Sequence, residues 1–224
     1  MKLSKGYVSS IYNGSAVDGD GLRCVAFFSG CNLRCGFCHN IETLLLKGQE
    51  YTAEELANKL LRYKNYISNG GVTLSGGEPF LQAQFSKAVI SILKENGVNT
   101  AIETNGHIID KELIALSEYL IVDVKNQESF DLNTYRNFLS VCQNLNKRVE
   151  LTCVIVNGLN DSEQKLAQLK GLKEEFSCVT NIRLLPFKKL CEEKYKKLNL
   201  PFPYGIYNEC ELSHAKKLQG DLNK

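Results

Sequence analysis

No apolar run in the 224 residues approaches the roughly 20 that a bilayer-spanning helix needs. The opening segment, Met1-Lys2-Leu3-Ser4-Lys5-Gly6-Tyr7, has no hydrophobic stretch of the kind a secretory signal carries. Lys and Arg exceed Asp and Glu by only 27 − 25 = 2, and the charge is spread without an acidic or basic tail. That balance speaks against a nucleic-acid partner or attachment to a membrane surface. No repeat, low-complexity tract or long linker marks an internal boundary, so residues 1–224 read as a single domain. The length is ample for one buried core. These absences leave a cytoplasmic globular protein.

What the chain does have is cysteine, nine of them, an odd number in a chain long for a secreted disulfide scaffold. Six stand alone in apolar or mixed surroundings: Cys24, Cys142, Cys153, Cys178, Cys191 and Cys210. They read as small, buried, reduced residues. The other three fall within eight residues, Cys31-Asn32-Leu33-Arg34-Cys35-Gly36-Phe37-Cys38.

Around that cluster the hydrophobic pattern alternates between strand-like and helix-like periods. Short apolar runs predict strands over Leu22–Ser29, Val72–Ser75, Asn99–Glu103, Tyr119–Val124, Arg148–Val156 and Asn181–Leu185. Helical spacing predicts helices over Leu81–Asn96, Asp110–Leu116, Leu132–Leu145, Ser162–Phe176 and Asn208–Gln219, with Asp161 capping the fourth. Thr52 and Glu55 form a capping-box signature for a further helix. Such alternation implies βαβ units and a parallel sheet. Six units are too few for the eight-stranded barrel, so the expectation is an open α/β sheet or a partial barrel. Either places ligands beyond the carboxyl ends of the strands. The unusual residues all follow predicted strands: the cysteines, then Ser75-Gly76-Gly77-Glu78-Pro79, Glu103-Thr104-Asn105-Gly106, Asp123-Val124-Lys125, Asn157-Gly158 and Leu184-Leu185-Pro186-Phe187.

Three thiols at this spacing wrap one metal centre if the loop curls, and Gly30 and Gly36 ease that curl. Structural zinc wants a fourth protein ligand, and none is evident. An iron–sulfur cubane usually takes four cysteines. Held by three, it leaves one iron open to a small molecule, which implies chemistry and not electron storage alone. A noncatalytic zinc or electron-transfer module remains the bland alternative, but it leaves the other strand-end motifs without a role.

The C-x3-C-x2-C spacing of Cys31, Cys35 and Cys38 with Gly76-Gly77-Glu78 resembles the radical S-adenosylmethionine (SAM) enzymes. Val17-Asp18-Gly19-Asp20-Gly21, Cys38-His39-Asn40, Glu103-Thr104-Asn105-Gly106 and Asp123-Val124-Lys125 extend the likeness. With them the chain resembles the glycyl-radical-enzyme activating enzymes, typified by pyruvate formate-lyase activating enzyme. The resemblance implies a partial (β/α)6 TIM-like barrel of the radical SAM type. It implies one [4Fe-4S] cluster on the three cysteines, because the ferredoxin-like insertion of longer activators is missing after Asn40. SAM binds the open iron and is cleaved reductively to a 5′-deoxyadenosyl radical, which takes hydrogen from a glycine of a partner glycyl radical enzyme. Flavodoxin or ferredoxin is the implied reductant. Oxygen destroys both an open cluster and a glycyl radical, so the resemblance also implies anaerobic metabolism.

Position by position, the resemblance assigns cofactor contacts to Phe37, His39, Asn40, Gly76, Gly77, Glu78, Asp123, Val124, Lys125 and Lys188. For Glu78 the alternative is support of the turn. Glu103 and Thr104 with Asp123 match a monovalent-cation site, although Glu103 stands where pyruvate formate-lyase activating enzyme has Asp. Asp18 matches a residue that meets the substrate glycine loop. Three departures stand out: Lys188 replaces a cofactor-contacting His, Thr152 an expected Arg, and Asp20 a Pro. A second radical SAM reading, 7-carboxy-7-deazaguanine synthase, shares Gly-Gly-Glu-Pro and Glu-Thr-Asn-Gly. His107 and His214 read as ordinary loop or surface residues, and Lys188–Lys197 as a solvated face.

Overall fold

Strands rich in β-branched and aromatic residues carry the core, and the helices between them bury one face each. The computed structural model describes residues 4–126 and 131–223, so the first three residues of the opening segment lie outside the described ones. The chain divides into two compact units.

The first unit comprises Met1–Leu33, Glu42–Thr104 and Ile108–Ile121. It holds β1 (Lys5–Ser15), β2 (Arg23–Phe28), β3 (Gln49–Thr52), α1 (Ala53–Leu61), β4 (Gly71–Gly76), α2 (Ala83–Glu95), β5 (Thr100–Thr104) and α3 (Lys111–Leu116). Within it the strand order is β3-β1-β2-β4-β5. β2, β4 and β5 run parallel, with Val25 opposite Thr73 and Thr73 opposite Ala101. β1 is antiparallel to both β2 and β3. Neither β1 nor β3 was expected. β1 buries little besides Gly6, Val8 and Ser15, and β3 (Gln-Glu-Tyr-Thr) has two exposed and two half-buried residues, so neither shows an apolar run.

Thr52 caps α1 as the sequence indicates: its hydroxyl accepts from Glu55 N at 3.2 Å, while Glu55 accepts from Thr52 N at 2.8 Å. The helix expected from Leu81 opens instead as a 3-10 turn over Pro79–Gln82, for which Pro79 is pre-set. Arg23, buried at the start of β2, donates to Thr73 Oγ1 at 2.7 Å and to the Val72 carbonyl at 2.8 Å. Its guanidinium also lies over the Tyr119 ring, 5.4 Å from the centroid.

The second unit comprises Arg34–Ile41, Asn105–His107 and Val122–Lys224. β6 (Tyr119–Asp123) begins in the first unit and ends in the second. α4 (Leu132–Asn144), β7 (Arg148–Ile155), α5 (Glu163–Glu175), β8 (Val179–Pro186), α6 (Glu192–Lys197) and α7 (Leu212–Leu222) follow. β7 and β8 are parallel, with Thr152 opposite Arg183. Ser162, not Asp161, caps α5 by accepting from Lys165 N, because the Asp161 carboxylate is turned to Gly158 N at 2.9 Å. The lysine-rich stretch 188–197 ends in the short helix α6, anchored by the buried Tyr195. No helix among the described residues is long and apolar enough to cross a membrane.

Candidate functional site

β4 ends in the Gly76-Gly77-Glu78 turn, and the backbone there admits only glycine. Gly76 has φ +109, and a Cβ on it would lie 2.4 Å from Phe28 N. A Cβ on Gly77 would lie 2.1 Å from the Gly30 carbonyl oxygen. That closeness lets Gly77 N donate to Phe28 O at 2.9 Å and Glu78 N to Gly30 O at 2.7 Å. The turn is thereby joined to the start of the cysteine loop, which Gly30 N and Cys31 N tie to the carbonyls of Thr43 and Leu44.

Glu78 is fully buried. Its Oε1 accepts from Phe80 N at 3.0 Å and from Thr104 Oγ1 at 2.9 Å, so its carboxylate supports the turn and links it to the end of β5. Glu103 Oε2 accepts from Ser75 Oγ at 2.5 Å. Asp18 lies elsewhere: its carbonyl accepts from Thr73 Oγ1 at 2.6 Å, three residues before Gly76, and its carboxylate accepts from Ser15 Oγ.

In the second unit the rest of the loop turns tightly, Cys38 N donating to Cys35 O at 3.1 Å. Tyr204 N donates to Gly36 O at 3.3 Å, and a Cβ on Gly36 would strike the Tyr204 ring at 2.4 Å. Phe37 is buried, its ring 5.6 Å from that of Tyr204. On Phe37 also lies Lys125, Nζ 5.0 Å from the ring centroid, with Asp123 as its ion-pair partner. Burial alone would lower the Lys125 ammonium, but the Asp123 carboxylate and Cys35 outweigh it and hold the group well above its ordinary value. Asp123 Oδ1 is buried and has no hydrogen-bond partner among the described residues. Val124 N donates to Thr152 O at 2.7 Å; the Thr152 hydroxyl is buried and likewise unpartnered. Arg183, in register with Thr152, donates to Glu150 at 2.8 Å.

His39 Nε2 is 2.8 Å from the Lys188 carbonyl, and the Lys188 ammonium is paired with Glu209 at 3.3 Å. Asn40 is half-buried beside it.

Three supporting residues escaped the sequence reading. Tyr135 Oη accepts from Lys125 N at 2.8 Å and stands 3.4 Å from His107 Nε2, which gives His107 a partner. Asn126 and Asn160 are buried: Asn160 Nδ2 donates to Asn126 Oδ1 at 2.7 Å, and the Cys153 thiol donates to the same oxygen at 3.1 Å. Asn126 immediately follows Asp-x-Lys, and its position at a strand end was the available signal. His214 also has a partner, Asp161 at 3.5 Å.

All nine cysteines are free. The three loop thiols are half-exposed, whereas Cys24, Cys142, Cys153, Cys191 and Cys210 are buried and Cys178, expected to be buried, is half-exposed. Burial pushes up the thiols of Cys24, Cys153, Cys178 and Cys210, and that of Cys142 to about 12. Among the described residues no three His, Cys, Asp or Glu side chains are drawn together tightly enough to hold a metal ion. The loop donors are nonetheless thiols alone, the ligand type iron–sulfur clusters take. Beside the same loop, an unpartnered carboxylate oxygen on Asp123 and a charged lysine suit a small zwitterionic ligand.

Residues 17–150 match the family model described as a 4Fe-4S single cluster domain. Pyruvate formate-lyase-activating enzyme from Clostridium pasteurianum is 36% identical over 232 aligned residues, covering 98% of each chain. The enzyme of that name from Staphylococcus epidermidis is 32% identical, covering 89% of this chain and 88% of its own. A radical SAM methyltransferase from Sphaerobacter thermophilus superposes with a TM-score of 0.62 at 18% identity, covering 89% of this chain. The chain spans 63% of that longer protein, and the likeness shows the fold, α/β of the radical SAM type. Relatives matching over nearly the whole length do not favour the deazaguanine synthase reading. The chain belongs to the 4Fe-4S, radical SAM family of pyruvate formate-lyase-activating enzymes.

Proposed function

We propose that the chain, acting as one radical SAM domain, installs a glycyl radical on pyruvate formate-lyase or a related glycyl radical enzyme in the cytoplasm. The observation that carries this reading is the hydrogen bond from Glu78 N to Gly30 O, which fastens the Gly-Gly-Glu turn to the loop of three free thiols. When bound, a reduced [4Fe-4S] cluster supplies the electron that cleaves SAM to methionine and a 5′-deoxyadenosyl radical, the species that takes hydrogen from the partner's glycine.

Cys31, Cys35 and Cys38 would hold the cluster. Gly76 and Gly77 offer backbone where a side chain would block approach, and Glu78 stiffens that edge from beneath. Lys125, kept cationic, is the counter-ion for the cofactor carboxylate, with Asp123 and Val124 fixing its strand end. Phe37, His39, Asn40 and Lys188 line the cofactor. Phe37 excludes water from one side of Lys125, which strengthens the charge interaction there. Asp123, with Glu103 and Thr104, is the proposed monovalent-cation site; the unpartnered Asp123 Oδ1 supports it, and the bond from Ser75 to Glu103 competes with it. Asp18 is assigned to the substrate peptide, and flavodoxin or ferredoxin to electron delivery.

The test is anaerobic reconstitution with iron and sulfide, followed by SAM and dithionite and quantification of 5′-deoxyadenosine. Product from the wild type and none from Cys35→Ser is expected. A fully loaded wild-type protein that makes no product, with or without pyruvate formate-lyase present, would sink the reading.

A further inference from the structure

Of the six cysteines outside the loop, Cys178 alone is partly open to solvent; the other five are buried. Cys178 stands in the turn before β8, and Cys142 lies in the last turn of α4, on the buried face with Tyr135, Phe138 and Leu139. Neither thiol has a part in holding the cluster, the cofactor or the substrate.

Three sets of contacts bring the two together. The Cys178 thiol reaches the Leu139 carbonyl at 3.8 Å. In an α-helix that carbonyl points along the axis toward the residues three and four further on, here Cys142 and Gln143. The neighbouring residue is held to the same turn, Ser177 Oγ donating to Gln143 Oε1 at 3.2 Å. At the entry of β7, Lys147 N donates to Cys142 O at 2.9 Å and Val149 N to Cys178 O at 2.8 Å, so residues two apart hold both cysteine backbones. The Cys178 sulfur thus sits on the helical turn that carries Cys142. The two thiols also sense each other's charge: burial comes first in pushing Cys142 up to about 12, and Cys178 comes second.

We propose that Cys142 and Cys178 are a redox-active pair that closes into a disulfide at the expense of a small-molecule disulfide. The Cys178 thiol gives up its proton and attacks the small disulfide, which forms a mixed disulfide and releases one small thiol. The Cys142 thiol, losing its own proton, then displaces the second small thiol and closes the Cys142–Cys178 bond. Two protein thiols are oxidised, one small disulfide is reduced to two thiols, and the two protons leave on those thiols. Cys178 acts first because Cys142 is fully covered. Cys142 needs no access to solvent, since its attack is within one molecule, where proximity offsets a small thiolate fraction. The bond staples the last turn of α4 to the entry of β8. The inference stands on these contacts and not on the radical SAM reading.

Anaerobic incubation of the reconstituted holoprotein with oxidised glutathione, then alkylation and non-reducing peptide mapping, tests this. Burial raises the Cys178 thiol as well, so the solution should be mildly alkaline. The folded wild type should yield a linked Cys142–Cys178 peptide that dithiothreitol separates, with both cysteines lost to alkylation. Cys142→Ala should stop at a glutathione adduct on Cys178, and Cys178→Ala should leave Cys142 unmodified. The linked peptide is read on the wild type, so the test does not depend on either variant folding. A wild type that keeps Cys178 as a free thiol or as a lasting glutathione adduct overturns the proposal. Linkage that forms in urea but not in the folded holoprotein overturns it too.

Discussion

Lys125 sets its ammonium 5.0 Å from the centre of the Phe37 ring, so a residue between Cys35 and Cys38 is in contact with the cation at the end of β6. A partly desolvated cation–π contact is worth about 0.5–2 kcal/mol. Phe37→Leu should therefore weaken SAM binding by about 2- to 30-fold. Lys125→Met, which removes the charge and leaves Asp123 without its counter-ion, should cost more. Equilibrium dialysis of SAM on the loaded protein measures both, and unchanged affinity in Lys125→Met would remove it from the cofactor site.

Gly77→Ala should be among the most damaging single changes. Its Cβ would meet the Gly30 carbonyl at 2.1 Å, forcing the turn off the cysteine loop. Iron bound after reconstitution should fall sharply, with thermal stability lowered. Gly171→Ala, inside α5 with nothing within 4 Å of the added Cβ, is the control expected to leave the iron content unchanged and to raise stability slightly.

Stability should decline as the medium is acidified. Burial lowers the His107 imidazolium below its ordinary value of 6.5; Asp131 opposes the shift and Lys125 adds to it. Below that value the unfolded chain binds a proton that the folded one resists, so stability is fully present above about pH 6.5 and is lost as pH falls. His107→Gln should flatten the pH dependence of the urea midpoint between about pH 5 and 7. An unchanged slope would show that His107 does not govern it.

Asp18→Ala should leave SAM cleavage with dithionite intact while impairing glycyl radical formation on the partner, read by electron paramagnetic resonance. Its bonds reach Thr73 and Ser15, not the Gly76–Glu78 turn for which the cofactor contacts are proposed. Equal losses in both assays would refute the assigned role.

β2 and β4 to β8 were legible because each carries a short apolar run, buried on both faces in Val72–Ser75 and Leu120–Val122. β1 and β3 were not, since an antiparallel margin of the sheet buries few side chains and can be written in Ser, Gln, Glu and Asn. Tyr7, Ile11 and Tyr12 ahead of Asn13-Gly14 were the readable trace of β1. At the candidate site, residues bearing chemistry were recognisable by type and spacing. Their supports were not. Tyr135 looks like any core aromatic of α4, and the pairing of Asn126 with Asn160 joins residues 34 apart, which no local pattern encodes. Asp161 and Ser162 are both good caps, and only the competing bond to Gly158 decides between them.

The placement of the cysteines bears on how the protein matures. Iron and sulfide reaching the newly made chain meet nine thiols of the same intrinsic reactivity. Five of the six outside the loop are buried, and Cys178, only half-covered, is still pushed toward its protonated form. A chain that is already folded therefore covers five of its nine thiols. If Cys31, Cys35 and Cys38 hold the cluster as proposed, loading iron and sulfide onto folded protein leaves fewer wrong cysteines to compete than loading onto an unfolded one.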